Sequence, residues 1–516
     1  MVLNSPPSPQ QAAQFQNLQT HLCNLWRPSD QFDARDCQVL VVPSLSLDQA
    51  ELQKIDGVHY YEERLLFSLI RLRNPKTRLI YVTSQPLHPS IVDYYLELLP
   101  GIPSSHARDR LTLLSTYDAS HQPLTQKLLK RPRLLHKIRS QLDPKRAYMV
   151  CYNSTTLERD LALALGVPLL ALDPSLLYWG TKGGSRQIFQ ECNIPHPDGT
   201  PLVGTPTELA EVAAELWQRQ PNLKRMVVKL NQGFSGEGNA LLDLRPWAEQ
   251  TVGLSSHQER ASLLQKAFRS LQFQCASETW ETFEQKIHSL GAISEVFIEG
   301  SEKRSPSAQG RITPLGEVEM LSTHDQILGG PDGQIFLGCS FPADSDYRLP
   351  IQEMGRAIGE NLAQKGALER YGVDFIAVHQ PGQDPAWSLH AIEINLRKGG
   401  TTHPFMALKL LTDGEYNPED GLFYTRRGQP KFYRASDNLQ KDAYRGLLPS
   451  DLMDIIVSER LHFNSVEGIG AAFHLMGCLS EYGKLGLTSI GNTPDHANEI
   501  YNRVVEALDL EVAMLD

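Results

Sequence analysis

Short apolar runs alternate with longer mixed segments along the first third of the chain. Residues 38–43 (QVLVVP), 78–83 (RLIYVT) and 147–152 (AYMVCY) read as buried strands, and 169–172 as a shorter fourth. Between them, 62–73 (EERLLFSLIRLR) and 157–165 read as helices. Strands separated by helices predict βαβ units on a parallel sheet. Residues 1–175 are therefore expected to form one Rossmann-like α/β domain, with the first ten residues a frayed tail. No G-x-G-x-x-G turn occurs in it, so dinucleotide binding is not predicted.

The pattern changes after residue 175. Residues 225–230 (RMVVKL) and 240–244 predict two strands of a hairpin joined by a glycine-rich loop, 231–239 (NQGFSGEGN). Helices are predicted at 185–192, 207–218 and 256–270. A second strand-rich unit starts near Ala292, with strands at 293–298, 307–312, 318–322, 372–379 and 389–395, a helix at 352–365 and a turn at 380–386 (QPGQDPA). From about Gly414 a small further α+β unit follows, apolar at 464–475 and helical at 495–508. The expected organisation is an α/β domain at 1–175, a two-part α+β domain at 176–412 divided near 290, and a C-terminal domain at 413–516.

Composition narrows the classes. A chain of 516 residues is long enough for about three domains at roughly 150 residues each. Its 41% hydrophobic and 21% charged content is that of a globular protein. Lys and Arg total 49 against 60 Asp and Glu, a net charge of −11, which argues against nucleic-acid binding but permits a local basic pocket. The seven cysteines are scattered with no CxxC pair, which fits a reducing compartment rather than a disulfide framework or zinc ribbon. The first residues carry neither the basic nor the apolar region of a signal peptide, and no apolar run of about 18 residues occurs. A cytoplasmic protein without membrane partners is the expectation.

Several segments carry candidate chemistry. In the loop containing Gly233, Ser235, Gly236 and Gly238, glycines allow backbone N–H groups to approach a phosphate, with Lys229 supplying a charge just before it; a plain hairpin turn fits the same residues. Lys182, in GTKGGSR (180–186), either reaches the same phosphates or is a solvated turn lysine. The segment SEVFIEG (294–300) is an edge strand, or a hinge whose backbone at Phe297 and Ile298 reads a base edge near Glu295. Asp374 in GVDFI and Glu393 and Asn395 in EINLR form the strongest set. Glu393 and Asn395 share a strand face, with Arg397 next on it. Two carboxylates and an amide are hard oxygen ligands that suit Mg²⁺ holding substrate phosphates. His324 and His403 lie close in sequence to these segments. No H-E-x-x-H supports zinc, and no G-x-S-x-G supports a serine hydrolase.

In this order (lysine, lysine with glycine-rich loop, hinge acid, Asp, Glu-x-Asn-x-Arg), residues 176–410 resemble the ATP-grasp superfamily. A closer resemblance, to the pheganomycin-type peptide ligases of that superfamily, is carried by EKRSPS (302–307), HDQILGG (324–330), GCSFP (338–342) and the tail from HLMGC (474–478) to GKLGLT (483–488). The stretch between Asp374 and Glu393 is longer than in compact members, with the extra residues in the 380–386 turn. The resemblance implies two subdomains gripping ATP behind a pre-ATP-grasp domain. Lys182 and Lys229 would bind phosphates, Gly233–Gly238 would cover them, Glu295, Phe297 and Ile298 would hold adenine, and Asp374, Glu393 and Asn395 would hold Mg²⁺ or Mn²⁺. Arg397, Lys229 and Arg311 are the candidate catalytic residues, with Arg304 a further contact for a substrate carboxylate. The implied reaction joins a carboxylate donor to an amine acceptor (amino acids or peptides) through an acylphosphate, in a homo-oligomer or a single chain. Two other readings stay open: an ATP-binding regulatory or scaffold protein, and a small-molecule kinase.

Overall fold

A computed structural model describes residues 7–26, 36–47, 49–233, 238–248, 256–274, 278–329, 335–383 and 385–515. Three of the expected N-terminal strands form as Gln38–Val42, Arg78–Thr83 and Ala147–Cys151. With Leu111–Ser115 they make an all-parallel sheet, in the order Leu111–Ser115, Arg78–Thr83, Gln38–Val42, Ala147–Cys151. Val39 and Val41 enter one apolar core while Leu40 and Val42 enter another. Both faces of the sheet are covered, which is why its central strands are continuous apolar runs. The segment 169–172 makes a single bridge, Leu169 to Met149, and its apolar character comes from burial. The helix at Thr156–Leu165 has a capping box of Thr155 and Glu158 and ends at Gly166, whose φ of 71° suits glycine. The expected helix at 62–73 is a 3₁₀ helix, Val58–Arg73, running past the cleft described below.

The next sheet is antiparallel, in the order Gln272–Phe273, Asn239–Asp243, Arg225–Leu230, Ala292–Val296. The hairpin is as expected, but Ala292–Val296 pairs with Arg225–Leu230 and so belongs to the first subdomain. The division therefore falls after Val296, not near 290. Helices Pro206–Arg219, His257–Ala267 and Trp280–Leu290 cover this sheet through a core that includes Trp217, Phe268 and Phe283.

The third sheet has 11 strands among the described residues. Its ladder runs Trp387–Asn395, Glu369–His379, Pro306–Ile312, Val318–Gly329, Ile335–Phe341, and continues directly into the C-terminal strand Pro430–Gln440. Lys484–Gly491 and Gly470–His474 extend it. The residues beyond 413 thus share a sheet with the second subdomain rather than forming a separate one. One apolar core also joins them to the N-terminal domain, bringing together Leu66, Phe405, Phe473 and Leu487. Among the described residues no helix is long and apolar enough to cross a membrane.

Candidate functional site

A cleft of about 970 Å³ opens between the second and third sheets, with further walls from the N-terminal domain and the C-terminal strands. That is the upper end of the roughly 300–1,000 Å³ usual for small-molecule sites. Lys182 begins the helix Lys182–Glu191, whose N-terminus is capped by the Thr181 hydroxyl. Asn231, just beyond the Lys229 strand, accepts the Lys182 N–H on its carbonyl at 3.1 Å and the Gly183 N–H on Oδ1 at 3.0 Å. The two lysines are thereby set side by side by one residue. Gly184 allows the helix to pass under the preceding turn, since a Cβ there would lie 2.0 Å from the Tyr178 carbonyl oxygen.

Both lysines are buried and paired. Lys229 Nζ lies 2.6 Å from Glu295 Oε2, and Arg186 donates to Glu295 Oε1 at 2.7 Å. Burial works to raise the Glu295 carboxyl, but Lys229 and Arg186 outweigh it and hold it below the ordinary value. Arg186 was missed in the sequence; it lies four residues after Lys182, on the same helix face. Lys182 pairs with Glu393 across the cleft. The Ile394 N–H donates to Ser185 Oγ at 3.0 Å, fixing that helix on the acidic strand.

Asp374 and Glu393 are directly opposed partners on neighbouring strands, beside a register shift after Asp374. Asp374 accepts from Gln326 Nε2 at 2.7 Å and from Asn395 Nδ2 at 2.9 Å. Burial and then the Glu393 charge push the Asp374 carboxyl up to about 7. Burial also works against ionised Glu393, but Lys182 and Arg397 keep it below its ordinary value. The pair shares its proton unevenly, on Asp374, as two closely set carboxylates do. Among the described residues no group of three or more His, Cys, Asp and Glu could hold a metal.

The structure brings Lys182, Lys229, Gly233, Gly238, Glu295, Phe297, Ile298, Asp374, Glu393, Asn395, Arg397 and Arg304 to this one cleft. Ser235 and Gly236 lie outside the described residues. Phe297 is held between cations, with Arg225 and Lys303 4.0 and 4.3 Å from its ring centre. Its N–H donates to the Arg225 carbonyl. Arg304 is engaged by Asp344 at 2.6 Å. Arg311 is not brought to the cleft. It pairs with Glu319, lies over the Trp26 ring and lines a separate small cavity, because it sits at the far end of the strand that carries Ser307 beside Asp374. His324 is fully buried against the Tyr433 hydroxyl at 2.6 Å, and burial pushes it down to about 3. His403 is buried against His474, with ring centres 3.9 Å apart. Neither histidine lines the cleft. Tyr61, Arg64, Tyr152, Phe336 and Asp437 do, and none was singled out in the sequence.

Residues 175–419 match the family described as "IQCH-like, ATP-grasp", and residues 451–504 the "PGM1 C-terminal domain". The chain is 30% identical over 467 residues to the L-propargylglycine–L-glutamate ligase of Streptantibioticus cattleyicolor, covering 89% of this chain and 91% of that one. The chain belongs to the ATP-grasp superfamily. A second relative, IQ motif-containing protein H of Danio rerio, is 25% identical over 421 residues; the match covers 73% of this chain and 39% of that protein. Among solved structures, biotin carboxylase of Campylobacter jejuni in complex with β,γ-ATP superposes with a TM-score of 0.54 at 11% identity, covering 92% of this chain and 94% of that one. The biotin carboxylase domain of Hydrogenobacter thermophilus 2-oxoglutarate carboxylase, with MgADP and bicarbonate, gives 0.52 at 13%, covering 91% and 89%. These two likenesses establish the ATP-grasp fold across nearly the whole chain.

Proposed function

We infer that this protein is an ATP-dependent carboxylate–amine ligase that joins two amino-acid-like substrates through an acylphosphate. The observation that carries the reading is the meeting, in one cleft, of two buried lysines, Lys229 on the second sheet and Lys182 on the helix packed against the acidic strand, with the Asp374, Glu393, Asn395 and Arg397 set. The relative from Streptantibioticus cattleyicolor is named for joining two amino acids, which supports amino acids as donor and acceptor here.

Lys182 and Lys229 are assigned to the phosphates, leaving Glu393 and Glu295 as they engage them. Glu295 keeps Arg186 when Lys229 turns away, so no carboxylate is left unpaired there. Gly233 and Gly238 bracket the phosphate-covering loop. The Phe297 carbonyl and the Ile298 backbone are assigned to the adenine edge, since the Phe297 N–H is already used. Asp374, Glu393 and Asn395 fit Mg²⁺, with Mn²⁺ as the substitute: two opposed carboxylates, one raised to about 7 by burial and then by the other's charge, suit a hard divalent cation. When bound, that ion supplies charge neutralisation at the phosphates. Arg397 orients the donor carboxylate for attack on the γ-phosphorus. The carboxylate oxygen bonds to phosphorus as the bond to ADP breaks; the neutral amine then bonds to the carbonyl carbon as phosphate leaves, and the proton lost from nitrogen goes to the departing phosphate. Closing the cleft excludes water from the acylphosphate.

Hydroxylamine trapping tests this reading. Purified protein, Mg-ATP and pools of amino acids are incubated with hydroxylamine, and hydroxamates are read by mass spectrometry. An ATP-dependent hydroxamate identifies the donor, and Lys229→Ala and Glu393→Ala should each abolish it. A stable phosphorylated product with no hydroxamate would point to a kinase instead.

A further inference from the structure

The cleft contains a second charged pair, from outside the two gripping subdomains. Arg64 lies on the N-terminal 3₁₀ helix Val58–Arg73, and Asp437 on the C-terminal strand Pro430–Gln440. They pair with each other, and their side chains are 11% and 12% exposed, both at the cleft wall. The guanidinium also donates to the Tyr152 hydroxyl at 3.0 Å and lies 4.1 Å from the Tyr61 ring centre. Lys484 fixes Tyr61 in turn by donating to its hydroxyl at 2.8 Å. On the other side, the C-terminal strand loses register with its neighbour between Ser436 and Leu439, so Asp437 leaves the ladder at the point where it reaches the cleft. The site is held rigidly from both sides.

Its position relative to the reacting centre is also fixed. The Lys398 N–H, next to Arg397, donates to the Tyr152 carbonyl at 3.3 Å. Arg397, assigned to the donor carboxylate, is thus one peptide and one backbone hydrogen bond away from Tyr152, whose hydroxyl accepts from Arg64. A buried ion pair contributes little net stability, so stability alone does not account for placing one at a cleft wall. The arrangement has the charge pattern of a zwitterion: a forked cation suited to a carboxylate beside an anion suited to an ammonium.

We propose that Arg64 and Asp437 form the subsite for the amine-donating substrate, an α-amino acid whose α-carboxylate docks on Arg64 and whose α-ammonium docks on Asp437 and releases a proton to solvent before its nitrogen attacks the acyl carbon. This rests on the ligase reading above. An amino acid that reacts through its amine keeps its carboxylate throughout the reaction. That group needs a cation near the acyl carbon but clear of the phosphates, and Arg64 supplies it.

Hydroxylamine separates the two claims because it traps the acylphosphate and has no carboxylate. The wild-type protein is given Mg-ATP, the donor found by trapping, and as acceptor either hydroxylamine, the best-coupling amino acid, or the α-amide of that amino acid. The α-amide should couple about 10–100-fold less well than the acid, the loss expected for a charge-assisted contact. In Arg64→Gln the discrimination between acid and amide should collapse, and the hydroxamate-to-dipeptide ratio should rise by about the same factor. Arg64→Lys should restore part of the discrimination. Equal use of acid and amide by the wild type would overturn the assignment without any variant. A proportional fall of hydroxamate and dipeptide in Arg64→Gln would also overturn it, making Arg64 a structural or donor-side residue. No hydroxamate from the wild type would overturn the ligase reading, and this assignment with it.

Discussion

Asp374→Asn tests the electrostatics of the acidic pair without any ligand. The Asp374 carboxyl ionises near 3.8 ordinarily and near 7 in the fold, because it is buried against Glu393. Between those two pH values the folded chain holds a proton that the unfolded chain has lost. The stability from this group is therefore full below about pH 4 and is lost as pH rises through 7, by about 4 kcal/mol at most. Asparagine has no proton to lose, so the variant should lack this loss. It also leaves one of the Gln326 and Asn395 amides without an acceptor, a penalty of about 1–3 kcal/mol that does not depend on pH. The readout is therefore a slope. Thermal unfolding without nucleotide or divalent cation, from pH 5 to 8, should show the Tm of the variant rising by several °C relative to wild type. About 2–4 °C per kcal/mol is usual at 150–250 residues, and less for a longer chain. Glu393, held below its ordinary value, titrates on the acid side of this window and does not imitate the effect. A Tm difference that stays flat from pH 5 to 8 would refute the account of the pair.

Other substitutions follow from single contacts. Asn231→Ala removes the side-chain acceptor that holds Gly183 and with it the placement of Lys182. It should raise KM for ATP by about tenfold with little change in Tm, read from ADP release. Tyr433→Phe strips buried His324 of its hydroxyl partner and should cost about 1–3 kcal/mol in chemical unfolding. Gly400→Ala places a Cβ 2.6 Å from the Phe336 ring and should cost about 1–3 kcal/mol, with Phe336 displaced at the cleft wall. Arg311→Ala breaks the pair with Glu319 and removes a side chain lining the separate cavity, so the loss should be in Tm, with KM for ATP within about twofold of wild type.

How much of this was legible in the sequence follows from what each residue has to satisfy. The strands Arg78–Thr83 and Ala147–Cys151 are continuous apolar runs because the sheet is covered on both faces. Leu111–Ser115, at the edge, is partly exposed and broken by Thr112 and Ser115, so the apolar criterion missed it. The same criterion took 169–172 for a strand because buried coil is equally apolar. Ala292–Val296 was read correctly as a strand but placed in the wrong sheet, because pairing partners leave no local trace. The acidic set was readable because two of its members lie two apart on one strand and the third is their register neighbour. Arg64 and Asp437 could not be linked this way. They are 373 residues apart and meet only when the C-terminal strands close against the N-terminal domain.

The cations of the cleft are neutralised pair by pair, which explains how a chain of net charge −11 can hold cations for anionic substrates. Lys182 rests on Glu393, Lys229 and Arg186 share Glu295, and Arg64 rests on Asp437. Lys182, Lys229 and Arg64 thus each already have a carboxylate in the place of the substrate anion they are proposed to meet, which keeps a buried charge from standing alone. The pairs differ in what happens when they open. Glu295 retains Arg186 after Lys229 leaves, so that separation costs little. Glu393 has Arg397 near it but loses its direct partner, which leaves its charge beside Asp374 with no cation in contact. Occupying the phosphate side alone is therefore penalised, whereas phosphate and divalent cation together restore neutrality on both sides of the cleft. On this account, nucleotide without divalent cation should bind more weakly than the metal complex, and Glu393→Gln, which removes the bare charge, should narrow that difference in a calorimetric titration. A Glu393→Gln protein that keeps the full wild-type gap would show that the acidic pair does not set the metal requirement.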